Sequence, residues 1–225
     1  MQNYNQSQAI PICDTWGTKK DAGYWNIDLE FNFDNKSIRD HNYWYYTSTK
    51  KTIEAFSSLL KPYRVYFNPN SKIEEKVKKV RIDRQPDELY DEFLENVYQT
   101  IKEYSIDINS ITMEFDFFVY VRTEKSFPEV IRTWIREFGQ SIKLGNLTIY
   151  LNLEDRDPYA CFNIEHTLFY PFSYPTGEDN KELFELNRPL LEEALKNWEQ
   201  KFNSEIEADG LPGIYEYGFL PEDQW

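Results

Sequence analysis

A seven-residue segment that occurs twice constrains the fold of this chain more than any other sequence feature. Residues 27–33 (IDLEFNF) and 111–117 (ITMEFDF) lie 84 positions apart, and five of the seven positions keep their chemical character. Apolar and polar residues alternate in both copies, which is typical of a strand with one face on a core and the other in water. The sequence therefore predicts two equivalent β-strands.

A second pair of segments has the same spacing. Residues 63–68 (YRVYFN) and 147–152 (LTIYLN) also lie 84 positions apart, with Tyr66 matching Tyr150. Apolar residues at helical spacing lie between and after the strands of each pair. They are Ile53, Phe56, Leu60, Leu89, Phe93, Leu94, Tyr98 and Ile101 in the first copy, and Ile131, Trp134, Phe138, Leu186, Leu190, Leu191, Leu195 and Trp198 in the second.

These patterns predict an α+β chain of two tandem β-α-β-(β)-α units that arose by internal duplication. The sheet is expected to be mainly antiparallel and covered on one face by helices. The predicted segments are an N-terminal arm (1–23), a first unit (24–106), a second unit (107–209) and an aromatic C-terminal tail (210–225). The alternative is that helix and strand patterns repeat here without common descent.

Periodicity and turn residues predict the individual elements. The predicted helices cover residues 49–60, 86–104, 127–142 and 180–206, and the predicted strands cover 24–33, 63–67, 111–121, 147–153 and 160–170. Pro189 predicts a kink or a break in the last helix, because proline has no backbone N–H for the helical hydrogen bond.

Four consecutive aromatic residues, Tyr43, Trp44, Tyr45 and Tyr46, do not fit one buried helix face. We interpret them as a hairpin strand, with Tyr43 and Tyr45 on one side and the other two on the opposite side. The alternative is an aromatic recognition loop, since tyrosine and tryptophan are enriched among the residues that carry binding energy in interfaces.

The charge of the chain limits its partners. The 225 residues carry a formal net charge of -14, and the segment from Glu178 to Trp225 contains 13 acidic and 4 basic residues. Such a field repels nucleic acids and anionic membranes and attracts basic proteins. The one basic cluster, residues 71–84, is interpreted as a solvated turn and connection rather than a nucleic-acid site.

Several motifs are absent from the sequence. With only 8 glycines, the chain has neither a GxGxxG nor a GxxxxGK[ST] phosphate-binding pattern. Its two cysteines, Cys13 and Cys161, form no close-spaced pair, which favours a reducing compartment. The sequence does not decide whether these two cysteines form a disulfide with each other. No signal peptide or membrane-spanning apolar run is present, so the cytoplasm is the expected location.

Strand alternation places polar residues together on the outer faces of the predicted strands. They are Asp28, Glu30, Asn32, Arg64, Tyr66, Asn68, Thr112, Glu114, Asp116, Thr148, Tyr150 and Asn152. This surface is interpreted in three ways: as a solvated face, as a protein-binding face, or as a metal-binding or acid/base site. A metal-binding or acid/base site requires carboxylates that converge in a cleft, and open strand faces rarely form one.

Histidine and cysteine give no strong catalytic signal. His41 and His166 belong to no zinc-binding pattern and to no HExxH motif. A nucleophile formed by Cys161 and His166 is disfavoured, because alternation in a strand places positions 161 and 166 on opposite faces.

The combination of acidity, abundant aromatic residues and absent motifs is typical of immunity and antitoxin proteins. The sequence thus predicts a cytoplasmic protein-binding module that neutralises a basic partner, such as a toxin nuclease, without a metal or cofactor. The predicted partner-binding residues are Asp28, Glu30, Glu114, Asp116, Tyr66, Tyr150, Tyr43, Trp44 and Tyr45. The alternatives are a metal-dependent or hydrolytic enzyme that uses the same carboxylates, and a structural protein that assembles with itself, for example as a homodimer.

Overall fold

The computed structural model of the protein describes residues 10–11, 22–34, 37–69, 80–104, 108–122, 129–136, 144–152, 156–172 and 179–224. The α-helices in these ranges are α1 (Ile38–Ala55), α2 (Tyr90–Glu103) and α3 (Lys181–Phe202). The β-strands are β1 (Ile10–Pro11), β2 (Gly23–Asp28), β3 (Leu60–Pro69), β4 (Val80–Asp83), β5 (Ile108–Arg122), β6 (Val130–Arg136), β7 (Gly145–Asn152), β8 (Asp157–Ile164), β9 (Ile206–Gly210), β10 (Ile214–Tyr215) and β11 (Gly218–Phe219).

Nine of these strands form one sheet. Its order is β1-β6-β5-β7-β8-β2-β9, with β3 joined to β5 and β4 joined to β3. All pairings in this sheet are antiparallel except that of β1 with β6. The prediction of an α+β chain with a mainly antiparallel sheet is therefore confirmed. The internal duplication, the division into units and the covering of only one face by helices stay predictions.

The long strand β5 lies at the centre of the hydrophobic core. Its residues Ile111, Met113, Phe117 and Val119 are fully buried, because alternate side chains of a strand point to the same face. The helices reach the same core through aromatic rings. Phe56, directly after α1, lies 4.9 Å from Phe162 of β8 and 5.4 Å from Trp198 of α3, measured between ring centroids.

Residues 43–46 lie in α1, so the prediction of a hairpin strand for them is wrong. The helix begins with a capping box at Ser37, whose side chain accepts a hydrogen bond from the Asp40 backbone N–H. In return, the Asp40 carboxylate accepts the Ser37 backbone N–H at 2.9 Å. This reciprocal pair satisfies two donors that a helix N-terminus otherwise leaves unpaired.

The aromatic residues of α1 lie on different sides of the helix. Tyr45 is fully buried, whereas Tyr43 is 64% exposed. The buried side of α1 also carries Ser48, Thr49 and Thr52. It therefore has no continuous apolar stripe, and a stripe of this kind is what periodicity needs to predict a helix.

The helix predicted for residues 127–142 is a strand where the structure describes it. Residues 130–136 form β6 and pair with β5 from Phe117 to Arg122. Apolar residues three positions apart suggested a helix, but Val130, Ile131 and Thr133 are β-branched and favour a strand. The remaining predicted positions, 127–128 and 137–142, lie outside the described residues.

Other element ends differ from the predicted ones. β2 ends at Asp28 rather than residue 33, and β8 ends at Ile164 rather than residue 170. α2 and α3 lie within the predicted helices, and α3 continues unbroken through Pro189. Among the described residues, no helix has the length and apolar composition needed to cross a membrane.

Candidate functional site

Polar side chains of neighbouring strands share one face of the sheet. Paired residues of antiparallel strands carry their side chains on the same face. Asn26 pairs with Cys161, Cys161 with Thr148, Thr148 with Thr112, and Thr112 with Tyr66. We call this surface the polar face; it comprises Tyr24, Asn26, Asp28, Arg64, Tyr66, Asn68, Arg81, Asp83, Ser110, Thr112, Glu114, Asp116, Asn146, Thr148, Tyr150, Tyr159, Cys161, Asn163, Glu207 and Asp209.

The part of the polar face on β3, β4 and β5 is neutralised by ion pairs within the chain. Arg64 donates to Glu114 at 2.8 Å and also to Asp83, which accepts a second hydrogen bond from Arg81. Although burial opposes the shift, these two arginines lower the pKa of Asp83. Tyr63 adds a hydroxyl donor to Glu114 at 3.2 Å. A partner would have to break these contacts to use either carboxylate.

Asp116 forms a buried ion pair with Arg136. The Asp116 side chain is 0% exposed, and both of its oxygens accept hydrogen bonds from the Arg136 guanidinium. That guanidinium also lies 4.3 Å from the centroid of the Tyr63 ring. Burial raises the pKa of Asp116 to about 6, although Arg136 opposes the shift. This carboxylate is therefore part of the structure of the sheet rather than of its accessible surface.

We expect the Asp116 carboxyl to titrate near pH 6, well above its ordinary pKa of 3.8. Between these values the folded state holds a proton that the unfolded state releases, so the contribution of Asp116 to the free energy of unfolding increases as the pH falls. Carboxyl-carbon NMR measures the titration, with Asp116→Asn to assign the signal. An Asp116 signal that titrates near the ordinary value would contradict this prediction.

A different part of the polar face keeps its negative charge. Asp28 of β2 and Glu207 and Asp209 of β9 are exposed, and they form no ion pair among the described residues. Glu207 pairs with Asn26 and Asp209 with Tyr24, which places all three carboxylates on the same face. We call these three carboxylates the acidic edge. It lies at the β9 end of the strand order.

Two tyrosine rings lie next to the acidic edge. Tyr159 pairs with Asp28 on one side and with Tyr150 on the other. The rings of Tyr150 and Tyr159 stack with centroids 4.6 Å apart and an interplanar angle of 20°. Stacked aromatic pairs provide a large, rigid contact area with little rotamer freedom to lose. The Asp28 end of the acidic edge thus adjoins the stacked rings of Tyr159 and Tyr150.

Cys161 and His166 do not form a nucleophile and its base. Burial raises the pKa of the Cys161 thiol to about 11, which keeps it protonated, and the thiol is free of any disulfide. Burial lowers the pKa of His166 to about 3, and its Nδ1 accepts the Leu168 backbone N–H at 3.2 Å. The histidine ring contacts Phe117 within the core. Cys13 lies outside the described residues.

The structure brings Glu30 and Trp44 together away from the polar face. The Glu30 carbonyl accepts the Trp44 indole N–H at 2.8 Å. Glu30 also lines an open cleft of about 780 Å³ with Phe31, Phe33 and Arg156. The predicted residues Glu30 and Trp44 are therefore hydrogen-bonded neighbours beyond the end of β2, and Glu30 also lines the cleft.

The predicted partner-binding residues fall into separate environments. Tyr150 and Asp28 lie by the acidic edge, whereas Glu114 and Asp116 belong to the neutralised part. Tyr66 lies between Thr112 and Arg81 on neighbouring strands. These strand residues share the polar face, as alternation predicts, but of them only Asp28 and Tyr150 lie by its acidic edge. Tyr43 is exposed on α1, and Tyr45 is buried in the core.

Sequence reasoning missed Glu207, Asp209 and Tyr159. The first two directly follow the helix predicted for residues 180–206 and were assigned to no strand, whereas α3 ends at Phe202 and residues 206–210 form β9. The alternation of residues 206–209 (IEAD) was the available signal. Within the described residues, no three His, Cys, Asp or Glu side chains are grouped closely enough to hold a metal ion.

A second cleft, of about 620 Å³, lies at the start of α3. Phe172 and Phe184 give it apolar walls, while Arg188, Glu222 and Asp223 supply charges.

Comparison of the chain with protein-family models, curated proteins and solved structures gives no match. The functional argument therefore depends on the geometry and charge of these surfaces.

Proposed function

We propose that the chain is a cytoplasmic protein that binds a basic protein through the acidic edge and the adjoining stacked tyrosines. In this proposal the helices cover the apolar face of the sheet and leave the polar face to the partner. A basic active site that normally holds a nucleic-acid backbone is a suitable target, because carboxylates can take the places of its phosphates. The proposed role is that of an immunity or antitoxin protein.

The acidic edge is the observation that carries this proposal. The other acids of the polar face, Asp83, Glu114 and Asp116, are already bound to arginines of the same chain. Unpaired carboxylates that are gathered on one side raise the potential there and attract a cationic partner over long distances. The stacked rings of Tyr150 and Tyr159 then supply contact area for a bound partner.

Reversing the charge of the acidic edge is expected to weaken partner binding about 30-fold, or about 2 kcal/mol. The variant is Asp28→Lys with Glu207→Lys and Asp209→Lys. A basic protein is first captured from host lysate on the tagged chain, then purified, and its Kd is measured at low and moderate salt. Because exposed charges are screened by salt, the difference between wild type and variant should shrink at higher salt.

The matched control reverses three exposed acids elsewhere, Glu92 and Glu95 on α2 and Glu193 on α3. It changes the net charge by the same amount, so any effect of total charge appears in both variants. The proposal requires a much larger loss of affinity in the acidic-edge variant. Equal losses in the two variants, or an unchanged Kd in the first, would contradict it.

A further inference from the structure

We infer that Asp209 is a site of spontaneous covalent modification, at which the folded chain converts an aspartyl linkage into an isoaspartyl linkage through a cyclic imide. The nucleophile is the backbone nitrogen of Gly210, and the electrophile is the side-chain carboxyl carbon of Asp209. Residues 209–210 are the only Asp-Gly dipeptide in the sequence, and the sequence contains no Asn-Gly dipeptide. The inference does not depend on the proposed function, because it concerns only the chemistry of this dipeptide in β9.

The conversion has two steps, and water is the only other reactant. In the first step the Gly210 nitrogen forms a bond to the Asp209 carboxyl carbon and loses its proton. The carboxyl group, protonated by solvent, loses a hydroxyl that leaves with this proton as water. In the second step water adds to one of the two carbonyl carbons next to the ring nitrogen. Addition at the side-chain carbonyl restores aspartate, whereas addition at the main-chain carbonyl gives isoaspartate, which has the same mass and a main chain longer by one carbon.

The structure holds the two reacting groups together. The Gly210 N–H donates to Oδ1 of Asp209 at 2.8 Å, so the nitrogen lies beside the carboxyl group that it would attack. Both residues are exposed to water, and within the described ranges the Asp209 carboxylate forms no ion pair that would hold it elsewhere. Glycine has no side chain to hinder the approach of its nitrogen.

The Gly210 N–H does not take part in the pairing of β9 with β2. The Leu211 N–H donates to the Ala22 carbonyl at 3.2 Å, so position 211 directs its N–H toward β2. Successive residues of an antiparallel strand direct their N–H groups to opposite sides, and that of Gly210 therefore points away from β2. Gly210 is also the last residue of β9. Ring closure thus disturbs only the end of this ladder, where Asp209 and Gly210 are paired.

Asp28 provides a comparison within the same chain. Like Asp209, it is exposed and forms no ion pair among the described residues. The nitrogen that follows it, that of Leu29, instead donates to the Pro158 carbonyl at 2.8 Å and belongs to a residue with a branched side chain. We therefore expect Asp28 to stay unmodified under conditions that convert Asp209.

The test incubates the purified full chain at neutral pH and measures isoaspartate at each position over time. Peptide mapping with electron-transfer fragmentation distinguishes the two linkages, which have equal mass. A free peptide of residues 205–212 gives the rate without the fold. In the folded chain, isoaspartate should form at Asp209 at a rate within about tenfold of the peptide and at least tenfold faster than at Asp28. Because only a very small fraction of a stable domain is unfolded, a rate of this size requires reaction in the folded state.

Two variants test the ring chemistry. Asp209→Glu keeps the carboxylate and the position in β9, but its imide is a six-membered ring that closes far more slowly, so no isomer should be found at this position. Asp209→Asn keeps the five-membered ring and replaces the leaving hydroxyl with ammonia, which leaves more readily. Isoaspartate should then form at least tenfold faster than in wild type.

A folded chain that forms isoaspartate at Asp209 more than about tenfold more slowly than the peptide overturns the inference, since the strand would then protect the dipeptide. Equal amounts of isoaspartate at Asp28 and Asp209, or an isomer that persists in Asp209→Glu, also overturn it. None of these results contradicts the proposed function, which depends on the affinity for a basic partner.

Discussion

Replacing Gly145 with alanine is expected to lower the free energy of unfolding by about 4 kcal/mol. Gly145 opens β7 with a φ of +154°, a conformation that residues with a side chain rarely adopt. A Cβ atom at this position would lie 2.2 Å from the backbone oxygen of Asn163 on β8. Because both atoms are fixed to paired strands, the clash can be relieved only by separating β7 from β8 near the asparagines of the polar face.

Gly218→Ala is the matched control for this prediction. Gly218 also has a positive φ, +131°, but the nearest atom to an added Cβ is a Leu191 side-chain carbon at 3.4 Å. Only the backbone strain is then common to both variants, and we expect a cost of about 1–2 kcal/mol at Gly218. Urea unfolding measures both variants. If Gly145→Ala lowers the free energy of unfolding no more than Gly218→Ala does, the contact with the Asn163 oxygen adds no cost, and the prediction is wrong.

Replacing Arg136 with methionine is expected to cost about 3 kcal/mol at neutral pH, because it leaves the buried Asp116 without its ion-pair partner. The pKa of Asp116, already about 6 through burial, should rise further in the variant. Since the variant then binds a proton at higher pH than wild type, its deficit in the free energy of unfolding should shrink as the pH falls. Urea unfolding at about pH 7 and about pH 5 tests both statements.

Arg132→Met on the same strand provides the control for Arg136. The Arg132 guanidinium lies over the Phe118 ring at 4.4 Å and forms no ion pair among the described residues. Its loss should cost less than about 1 kcal/mol at either pH. Adding Asp116→Leu to Arg136→Met should recover most of the stability, because no buried charge remains. A deficit that is independent of pH would contradict the role assigned to Asp116.

Elements with a single clear period were predictable from the sequence. Alternation identified β3 and the core side of β5, and helical spacing identified α2 and α3. Only the end of α1, residues 49–55, lies in the helix predicted for 49–60. The earlier part was missed because the buried side of α1 mixes Tyr45 with threonine and serine, while its start depends on the hydrogen bonds of Ser37 and Asp40. Neither feature produces an apolar period.

The candidate site was predictable only in part. Alternation correctly indicated that Asp28, Glu114, Tyr66 and Tyr150 share a face, since that follows from strand geometry alone. It could not indicate that Arg64 reaches Glu114 or that Arg136 reaches Asp116, because these partners lie on other strands. The acidic edge was also hidden, as its two β9 carboxylates join Asp28 only through the pairing of β9 with β2.

The sequence by itself determined the mixed α+β class, the strong negative charge and which side chains of each isolated strand point the same way. These properties depend on composition or on residues close in the chain, where backbone geometry fixes the outcome. Only the tertiary structure decided which carboxylates stay charged and accessible. Neutralisation of a carboxylate depends on which strands become neighbours, and strand pairing is determined by contacts between residues that are far apart in the sequence.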